Sequence, residues 1–113
     1  MELDRLKSDI WIQAQIRMCT VSNLSTYVIK RGDPDAGAIF LHLNRLNGEN
    51  FIYYQIRTAS GQIAWSQSNG ETPLNKDEAN DYLEKQKKYD PDLWILEIED
   101  PDNKYKFDGI ILK

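Results

Sequence analysis

Apolar residues in the first segment of the chain, residues 8–23, fit both a strand and a helix. Every second residue is apolar over Ile12, Ala14, Ile16 and Met18, which is the period of a strand. At helical spacing one face instead collects Ile10, Trp11, Ala14, Met18 and Val21. A run of this length without Gly or Pro exceeds the usual strand, so we predict a helix with Ser8 as its N-cap. Its second apolar side then needs cover from another element or a second subunit: Ile12, Ile16 and Cys19.

Strand-like runs separated by turn signals follow this helix, at residues 26–31, 38–46, 51–59 and 63–68. Asn47-Gly48 is typical of a hairpin, and such short connections predict an antiparallel meander. Residues 75–89 have the pattern of a second helix, with Asn75 as cap and Glu78 in the capping-box position. Its inward stripe is Ala79, Tyr82, Leu83, Gln86 and Tyr89.

Two further strands complete the predicted sheet. The run at 92–99 is apolar on both faces where it begins, which favours an interior position in the sheet. Residues 105–112 are expected to add an edge strand. We therefore predict one α+β domain over residues 1–113, an antiparallel sheet of five or six strands with two main helices packed mostly on one face. The predicted core is Ile10, Trp11, Ala14, Met18, Val28, Ile39, Leu41, Leu43, Ile52, Ile56, Leu83, Trp94, Leu96 and Ile98.

Composition supports a single globular domain. The 113 residues are 41% hydrophobic and 28% charged, enough to build one core without disulfides or a structural metal. The single cysteine, Cys19, cannot form an intramolecular disulfide and favours a reducing compartment. The N-terminal residues carry charges where an export signal needs an apolar stretch. No apolar run approaches the roughly 20 residues that span a bilayer, so we expect a cytoplasmic protein without a membrane partner.

Charge argues against a nucleic-acid partner. The net charge is −4, and residues 71–113 hold seven Lys against twelve Asp and Glu. Proteins that bind nucleic acids neutralise phosphates with clustered cations, and an acidic chain lacks that surface. The partners that remain are another protein, a second copy of the chain or a small molecule.

The segment Arg31-Gly32-Asp33-Pro34-Asp35-Ala36-Gly37 begins with a cell-adhesion tripeptide. Asp33 and Pro34 suit the first two positions of a type I turn, and Gly37 is expected to take a positive φ as the chain re-enters the sheet. Adhesion would require an extracellular protein, and so short a motif also occurs by chance. We therefore interpret the segment as a structural corner.

A binding function for the same corner remains an alternative. If the strands pair as predicted, Arg57 returns to the sheet end that carries Arg31, Asp33 and Asp35. Paired guanidinium groups could bind a small anion there. The competing interpretation is that these charges neutralise one another at the surface, where such pairs contribute roughly 0–1 kcal/mol. The second interpretation is favoured.

Catalytic constellations do not stand out in the sequence. His42 is the only histidine, there is no CxxC pair, and no Gly-rich phosphate loop precedes a helix, so no metal and no cofactor are expected. Glu97 and Glu99 share one strand face, an arrangement that is more typical of a solvated strand end than of an acid–base pair. Cys19 and His42 could form a nucleophile and base, but no motif supports this pairing. A non-enzymatic function is favoured.

Three blocks resemble a known family: LKSDIW near the start, KRGDPDAGAIFLHLNRLNG in the middle and YDPDLWILEIED near the end. Their order and spacing are similar to those of the bacterial, mainly alphaproteobacterial, family catalogued as domain of unknown function 1491. The resemblance implies a helix after the first block and an intracellular bacterial protein. It brings no activity and no site residues.

The leading functional hypothesis is a non-catalytic interaction module that binds a protein partner or a second copy of itself. Its predicted interface uses aromatic and apolar side chains that one sheet face does not plainly need, namely Ile12, Ile16, Tyr53 and Trp65. The alternative is a binding protein or weak enzyme for a small anionic ligand at the Arg31 and Arg57 end of the sheet.

Overall fold

The computed structural model describes residues 6–112, which form two helices and six strands. The elements in chain order are α1 Ser8–Val21, β1 Ser25–Lys30, β2 Ile39–Asn44, β3 Asn50–Arg57, β4 Ile63–Glu71, α2 Lys76–Tyr89, β5 Trp94–Glu99 and β6 Ile110–Ile111. The α+β class and both predicted helices are confirmed. The predicted last strand is reduced to two residues, because residues 104–107 lie on the sheet as an irregular segment instead of pairing along its edge.

The sheet is mixed, so the purely antiparallel prediction is wrong. Its strand order is β1-β5-β2-β3-β4-β6, with β5 running parallel to β2 and β6 parallel to β4. The eight-residue stretch between β1 and β2 is too long for a tight hairpin, and β5 inserts between these two strands. The interior position predicted for this strand is confirmed, and it explains the apolar residues on both faces of β5.

The two helices cover opposite faces of the sheet, which corrects the prediction that they share one face. Side chains alternate along each strand, and the alternation divides β2 and β5 between two apolar clusters. Leu41 and Leu96 face α1, whereas Phe40 and Ile95 face α2. A strand with apolar side chains on both faces needs a packing layer on each face of the sheet. The apolar residues on both faces of β2 and β5 therefore indicate a helix on each side.

Helix α1 buries a different side from the one predicted. Ile10, Met18 and Val21 are 48%, 52% and 80% exposed, and its buried residues are Ser8, Trp11, Ile12, Gln15 and Cys19. Trp11 borders both apolar sides, and its contacts with Trp65 and Asp108 fix the rotation of the helix. Of the other predicted core residues, Val28 is exposed and Ala14 and Ile56 are partly buried. The remaining ones are confirmed: Trp11, Ile39, Leu41, Leu43, Ile52, Leu83, Trp94, Leu96 and Ile98.

Helix α2 begins as predicted. The Asn75 side chain accepts from the Glu78 amide at 2.8 Å, and the Glu78 side chain accepts from the Asn75 amide at 2.9 Å, which completes the capping box. Ala79 and Leu83 face the sheet and are buried. Tyr89, predicted to face inward, is 80% exposed because the helix ends there.

Candidate functional site

The corner at residues 31–37 caps helix α1. Lys7 occupies the N-cap position without a side-chain bond, so Ser8 is the first helical residue and not the cap. The amide of Ser8 donates to the carbonyl of Asp35 at 3.3 Å, and the amide of Asp9 donates to the carbonyl of Pro34 at 3.0 Å. The Ser8 hydroxyl donates to the Gly37 carbonyl at 2.7 Å. The corner therefore satisfies backbone donors that the start of a helix leaves open.

Asp33 holds the corner together from inside. Its carboxylate accepts from the Ala36 amide at 2.8 Å, and its carbonyl accepts from the Trp94 indole at 2.8 Å. The positive φ predicted for Gly37 is wrong, since the residue is not among those with positive φ. Gly37 is needed for close approach instead, because a Cβ there would collide with the Asp92 carbonyl and lie 2.8 Å from the Asp33 carbonyl.

The structure gives the predicted anion-binding residues separate partners. The Arg31 guanidinium lies over the Trp94 ring, 5.3 Å from its centroid. The Arg57 guanidinium donates to the Gly61 carbonyl at 2.9 Å, in the turn after β3. Strands β5 and β2 lie between β1 and β3, so the two strand ends are about 14 Å apart. Asp35 is exposed and lies 3.6 Å from Lys7.

Three of the four predicted interface residues lie in the core. Ile12, Tyr53 and Trp65 are 2%, 6% and 0% exposed, and Ile16 is partly buried against the same cluster. Tyr105 and Phe107 belong to the segment that covers them, with the Phe107 ring 4.5 Å from Tyr53 and 5.6 Å from Trp65. Sequence reasoning treated this segment as an edge strand and so missed the cover. The alternation of Tyr105 and Phe107 was the available signal.

Apolar side chains that the core does not use lie on the outer face of α1. Ile10, Met18 and Val21 are exposed there, with Leu6 at 57% just before the helix. Positions 10, 14, 18 and 21 follow one another at helical spacing, so these residues form a continuous stripe. We call this stripe, with the hollow beside it, the α1 outer surface. The hollow has a volume of about 150 Å³ and is lined by Met18, Cys19, Ser22, Leu24, Lys104, Tyr105 and Lys106.

Two buried groups beneath the hollow, the Cys19 thiol and the Tyr105 hydroxyl, are neutral at physiological pH. Burial, with a smaller contribution from Asp100, raises the pKa of the Cys19 thiol to about 11. Burial also raises the pKa of Tyr105, reinforced by Cys19 and Asp108, and the Tyr105 hydroxyl donates to Gln15 Oε1 at 2.7 Å. A thiol that stays protonated at neutral pH is a poor nucleophile.

A buried carboxylate fixes the backbone at Lys104, one of the two lysines that line the hollow. Asp100 is fully buried and accepts from the amides of Lys104 and Tyr105 at 2.7 and 2.9 Å. The Arg45 guanidinium contacts the same carboxylate at 3.1 Å and the Asn103 side chain at 3.1 Å. This anchor fixes the course of residues 100–105. Sequence reasoning missed it, although Asp-Pro-Asp-Asn is a turn sequence in which a carboxylate commonly binds later amides.

The remaining polar candidates form a small cluster on the α2 face. His42 is 5% exposed, with Nε2 2.8 Å from Asn50 Oδ1 and Nδ1 4.0 Å from Glu97 Oε1. Glu97 also accepts from Asn44 at 3.1 Å, so Glu97 and Glu99 do not form an isolated acid–base pair. Cys19 belongs to the cluster that faces α1, which places it across the sheet from His42. The structure does not assemble the Cys19–His42 pair.

Two classes of feature are absent from the described chain. Within residues 6–112, no group of three or more His, Cys, Asp or Glu side chains could hold a metal ion. No helix in this range is long and apolar enough to cross a membrane.

The architecture defines a small α+β domain with a mixed six-stranded sheet and one helix on each face. The model of the family described as "Protein of unknown function (DUF1491)" matches residues 6–108, and the chain belongs to this family. No curated protein matches the chain.

Solved structures of relatives share the fold. A DUF1491 family protein from Caulobacter crescentus CB15 has a TM-score of 0.83 in its crystal structure, with 27% identity over 96% of this chain and 100% of that one. The NMR structure of a DUF1491 family protein from the same strain gives a TM-score of 0.80, with 28% identity over 96% of this chain and 97% of that one. Protein Atu0922 from A. tumefaciens gives 0.73, with 26% identity over 86% and 87%.

Proposed function

We propose that this protein is a non-catalytic interaction module whose α1 outer surface binds an acidic, partly apolar segment of another protein. The observation that carries the proposal is the stripe of Ile10, Met18 and Val21, which the domain leaves exposed although a second apolar side of the same helix fills the core. A continuous exposed apolar patch on a small domain is typical of an interaction site.

The charge around the stripe selects the partner. Arg17, Lys104 and Lys106 are exposed at its border. The Asp100 carboxylate is paired with Arg45, and the Asp108 carboxylate accepts from the Trp11 indole at 3.1 Å. Asp108 keeps its negative charge in this bond, but the three cations outnumber it, so the border of the stripe is basic although the chain carries a net charge of −4. Carboxylates on the partner complement it and accelerate association.

A second copy of the chain fits less well. Two-fold symmetric dimers place the same patch of each subunit face to face. Such contact would bring Arg17 and the two lysines of one copy close to those of the other. Like charges that face each other across an interface are destabilising, so an acidic partner is favoured over self-association.

Paired variants test the proposal. Met18→Glu and Val21→Glu place a carboxylate in the stripe, and Tyr89→Glu is the matched control because Tyr89 is equally exposed on the other helix. Each variant is immobilised on a solid support and incubated with an extract of the host cells. The proteins that each variant retains are then quantified. We expect a protein that the parent and Tyr89→Glu retain and that both stripe variants lose.

The retained protein's binding segment is then titrated as a peptide and followed by NMR. Shifts at Met18, Leu24 and Lys104 that weaken with rising salt support the proposal. Binding that is unchanged by Met18→Glu and Val21→Glu contradicts it. Sedimentation of the free protein tests self-association, the alternative occupant of this surface. A dimer that dissociates in Val21→Glu would show that a second copy binds there and would contradict the proposal of an acidic partner.

A cytoplasmic location in a bacterium is part of this proposal. Cys19 is a free, buried thiol, which suits a reducing compartment. A bacterial source agrees with the two bacteria from which the solved relatives come.

A further inference from the structure

An aromatic cleft lies on the opposite face of the sheet, between α2 and strands β2 and β3. Its volume is about 240 Å³, and it is lined by Ala38, Phe40, Tyr54, Tyr82, Gln86 and Asp90. Phe40 is 4% exposed and forms the floor, whereas Tyr54 is 39% exposed and forms an open wall. Pockets for drug-sized ligands run from about 300 to 1,000 Å³. This cleft is therefore suited to a group of side-chain size.

Three aromatic rings line the cleft, and the two tyrosine rings pack against the Phe40 ring at its floor. The centroid of Phe40 lies 5.0 Å from that of Tyr54, with an interplanar angle of 39°, and 6.4 Å from that of Tyr82, with an angle of 61°. The rings are thus tilted around the floor instead of stacked in parallel. Faces of aromatic rings carry negative electrostatic potential and attract cations.

Acidic groups supplement the rings. Asp90 is the C-cap residue of α2, and one of its carboxylate oxygens accepts from the Asp92 amide at 3.0 Å. The carboxyl end of a helix carries partial negative charge, which adds to the carboxylate at this end of the cleft. Glu78 and Asp81 line a neighbouring hollow on the other side of Tyr82, together with Lys85.

Two cations near the carboxyl end of α2, Lys30 and Lys87, have other partners. The Lys30 ammonium donates to the backbone carbonyls of Arg31, Pro91 and Leu93. Lys87, in the last turn of α2, pairs with Glu84. Burial, followed by the effect of Tyr54, raises the pKa of Tyr82, so that its hydroxyl stays neutral at physiological pH. The rings therefore act as neutral aromatic faces beside a carboxylate.

We propose that this cleft binds an organic cation of the alkylammonium class, held over the faces of Phe40, Tyr54 and Tyr82 with Asp90 as its counter-charge. Aromatic rings and a single carboxylate are the chemistry that recognises quaternary and methylated ammonium groups in proteins. The α1 outer surface binds acidic groups by the preceding proposal, so the two faces of the sheet select opposite charges.

Choline and its neutral carbon isostere, dimethylbutanol, form the first test. The labelled protein is titrated with each compound and with sodium chloride, and NMR shifts of Tyr54, Tyr82 and the Gln86 side chain are followed. We expect saturable shifts with choline and none with the isostere or the salt. Equal shifts with choline and the isostere would overturn the proposal, because they would show a merely apolar hollow. No saturable shift at millimolar choline would overturn it too.

Four substitutions separate the contributions of the aromatic ring, side-chain bulk and the carboxylate. Tyr82→Phe keeps the aromatic face and should bind choline like the parent, whereas Tyr82→Leu should weaken binding about tenfold. Tyr89→Leu is the matched control on the same helix and should change nothing. Asp90→Asn retains the oxygen that accepts from the Asp92 amide and should weaken binding several-fold. A Tyr82→Leu variant that binds like the parent contradicts the proposal. If Tyr82→Leu fails to fold, Asp90→Asn is the test, because an Asp90→Asn variant that binds like the parent also contradicts the proposal.

A further titration identifies the source of the ammonium group. A short peptide that carries trimethyllysine is compared with choline and with the same peptide carrying unmodified lysine. Tighter binding of the methylated peptide identifies a modified protein side chain as the ligand, and tighter binding of choline identifies a free small molecule. Shifts at the cleft that depend only on the rest of the peptide sequence, and not on the ammonium group, would overturn the proposal.

Discussion

The two faces of the sheet are covered in different ways. The face toward α1 carries a large apolar cluster, sealed by the helix on one side and by Tyr105 and Phe107 on the other. The face toward α2 carries a smaller cluster around Phe40 and Leu83, with polar His42 and Asn50 at one end and an open aromatic cleft at the other. The first face supplies most of the core. The second is only partly covered, which leaves room for a ligand.

The two helices also begin differently. The first turn of α2 is closed by its own capping box, Asn75 with Glu78. The first turn of α1 lacks a side-chain cap and receives carbonyls from Pro34 and Asp35, which are distant in sequence. The start of α1 therefore depends on tertiary structure and that of α2 on local sequence.

The largest expected effect compares one core residue from each face. Trp65→Ala removes a fully buried ring that contacts Trp11 and Phe107, and should lower the free energy of unfolding by about 3–5 kcal/mol. Leu83→Ala, on the face toward α2, should lower the free energy of unfolding by about 2 kcal/mol. This is at the low end for such a truncation, because the neighbouring cleft lets the site relax. Urea denaturation measures both. A larger loss for Leu83→Ala than for Trp65→Ala would reverse the ranking of the two faces.

The corner that caps α1 should come next. Gly37→Val would place side-chain atoms against the Asp92 and Asp33 carbonyls, and we expect a loss of about 1–3 kcal/mol. Gly48→Ala is the control for backbone strain, because Gly48 has a φ of 91° but open space around the position of its Cβ. It should cost at most about 1–2 kcal/mol. A Gly37→Val variant as stable as the parent would show that the chain does not pass this close to Asp92.

Local patterns predicted much of this fold. The capping box of α2, the interior position of β5 and most of the core followed from residue spacing and from strand composition. Each of these features depends on neighbours within a few residues. The pairing of β5 with both β1 and β2 depends on contacts across the whole chain, and no local pattern specifies it.

The site was harder to predict than the fold. Helix α1 has two apolar sides, and the rotation that buries Ile12 rather than Ile10 is set by Trp11 and by the distant Tyr105 and Asp108. Because of this ambiguity, Ile12 was assigned to the interface and Ile10 and Met18 to the core. The structure instead buries Ile12 and exposes Ile10 and Met18. The aromatic cleft joins β2, β3 and α2, and so it could not be recognised before their packing was known.

Capping of the helices gives a smaller test of the comparison. Asn75→Ala removes the local cap of α2 and should cost about 1 kcal/mol. Ser8→Ala removes a buried hydroxyl bond to the Gly37 carbonyl and should cost a similar amount, about 1 kcal/mol. Hydrogen exchange distinguishes the two variants. Asn75→Ala should increase exchange in the first turn of α2. Ser8→Ala should increase exchange in both α1 and residues 33–37, because hydrogen bonds join the start of α1 to this segment.

The smallest expected changes in stability are those of substitutions at the two aspartates of the corner, Asp33 and Asp35. Asp35→Asn changes an exposed carboxylate whose contact with Lys7 is 3.6 Å long, and the free energy of unfolding should stay within about 0.5 kcal/mol of the parent. Asp33→Ala removes the acceptor of the Ala36 amide and should cost about 1 kcal/mol. Thermal melts of both variants decide whether the corner is mainly structural. A ligand site built on these carboxylates would give a different result, in which either substitution abolishes binding while both melting temperatures stay at the parent value. The contacts of Asp33 with Ala36 and Trp94 favour the structural outcome, because they tie the corner to the start of β5 and thereby to the helix that it caps.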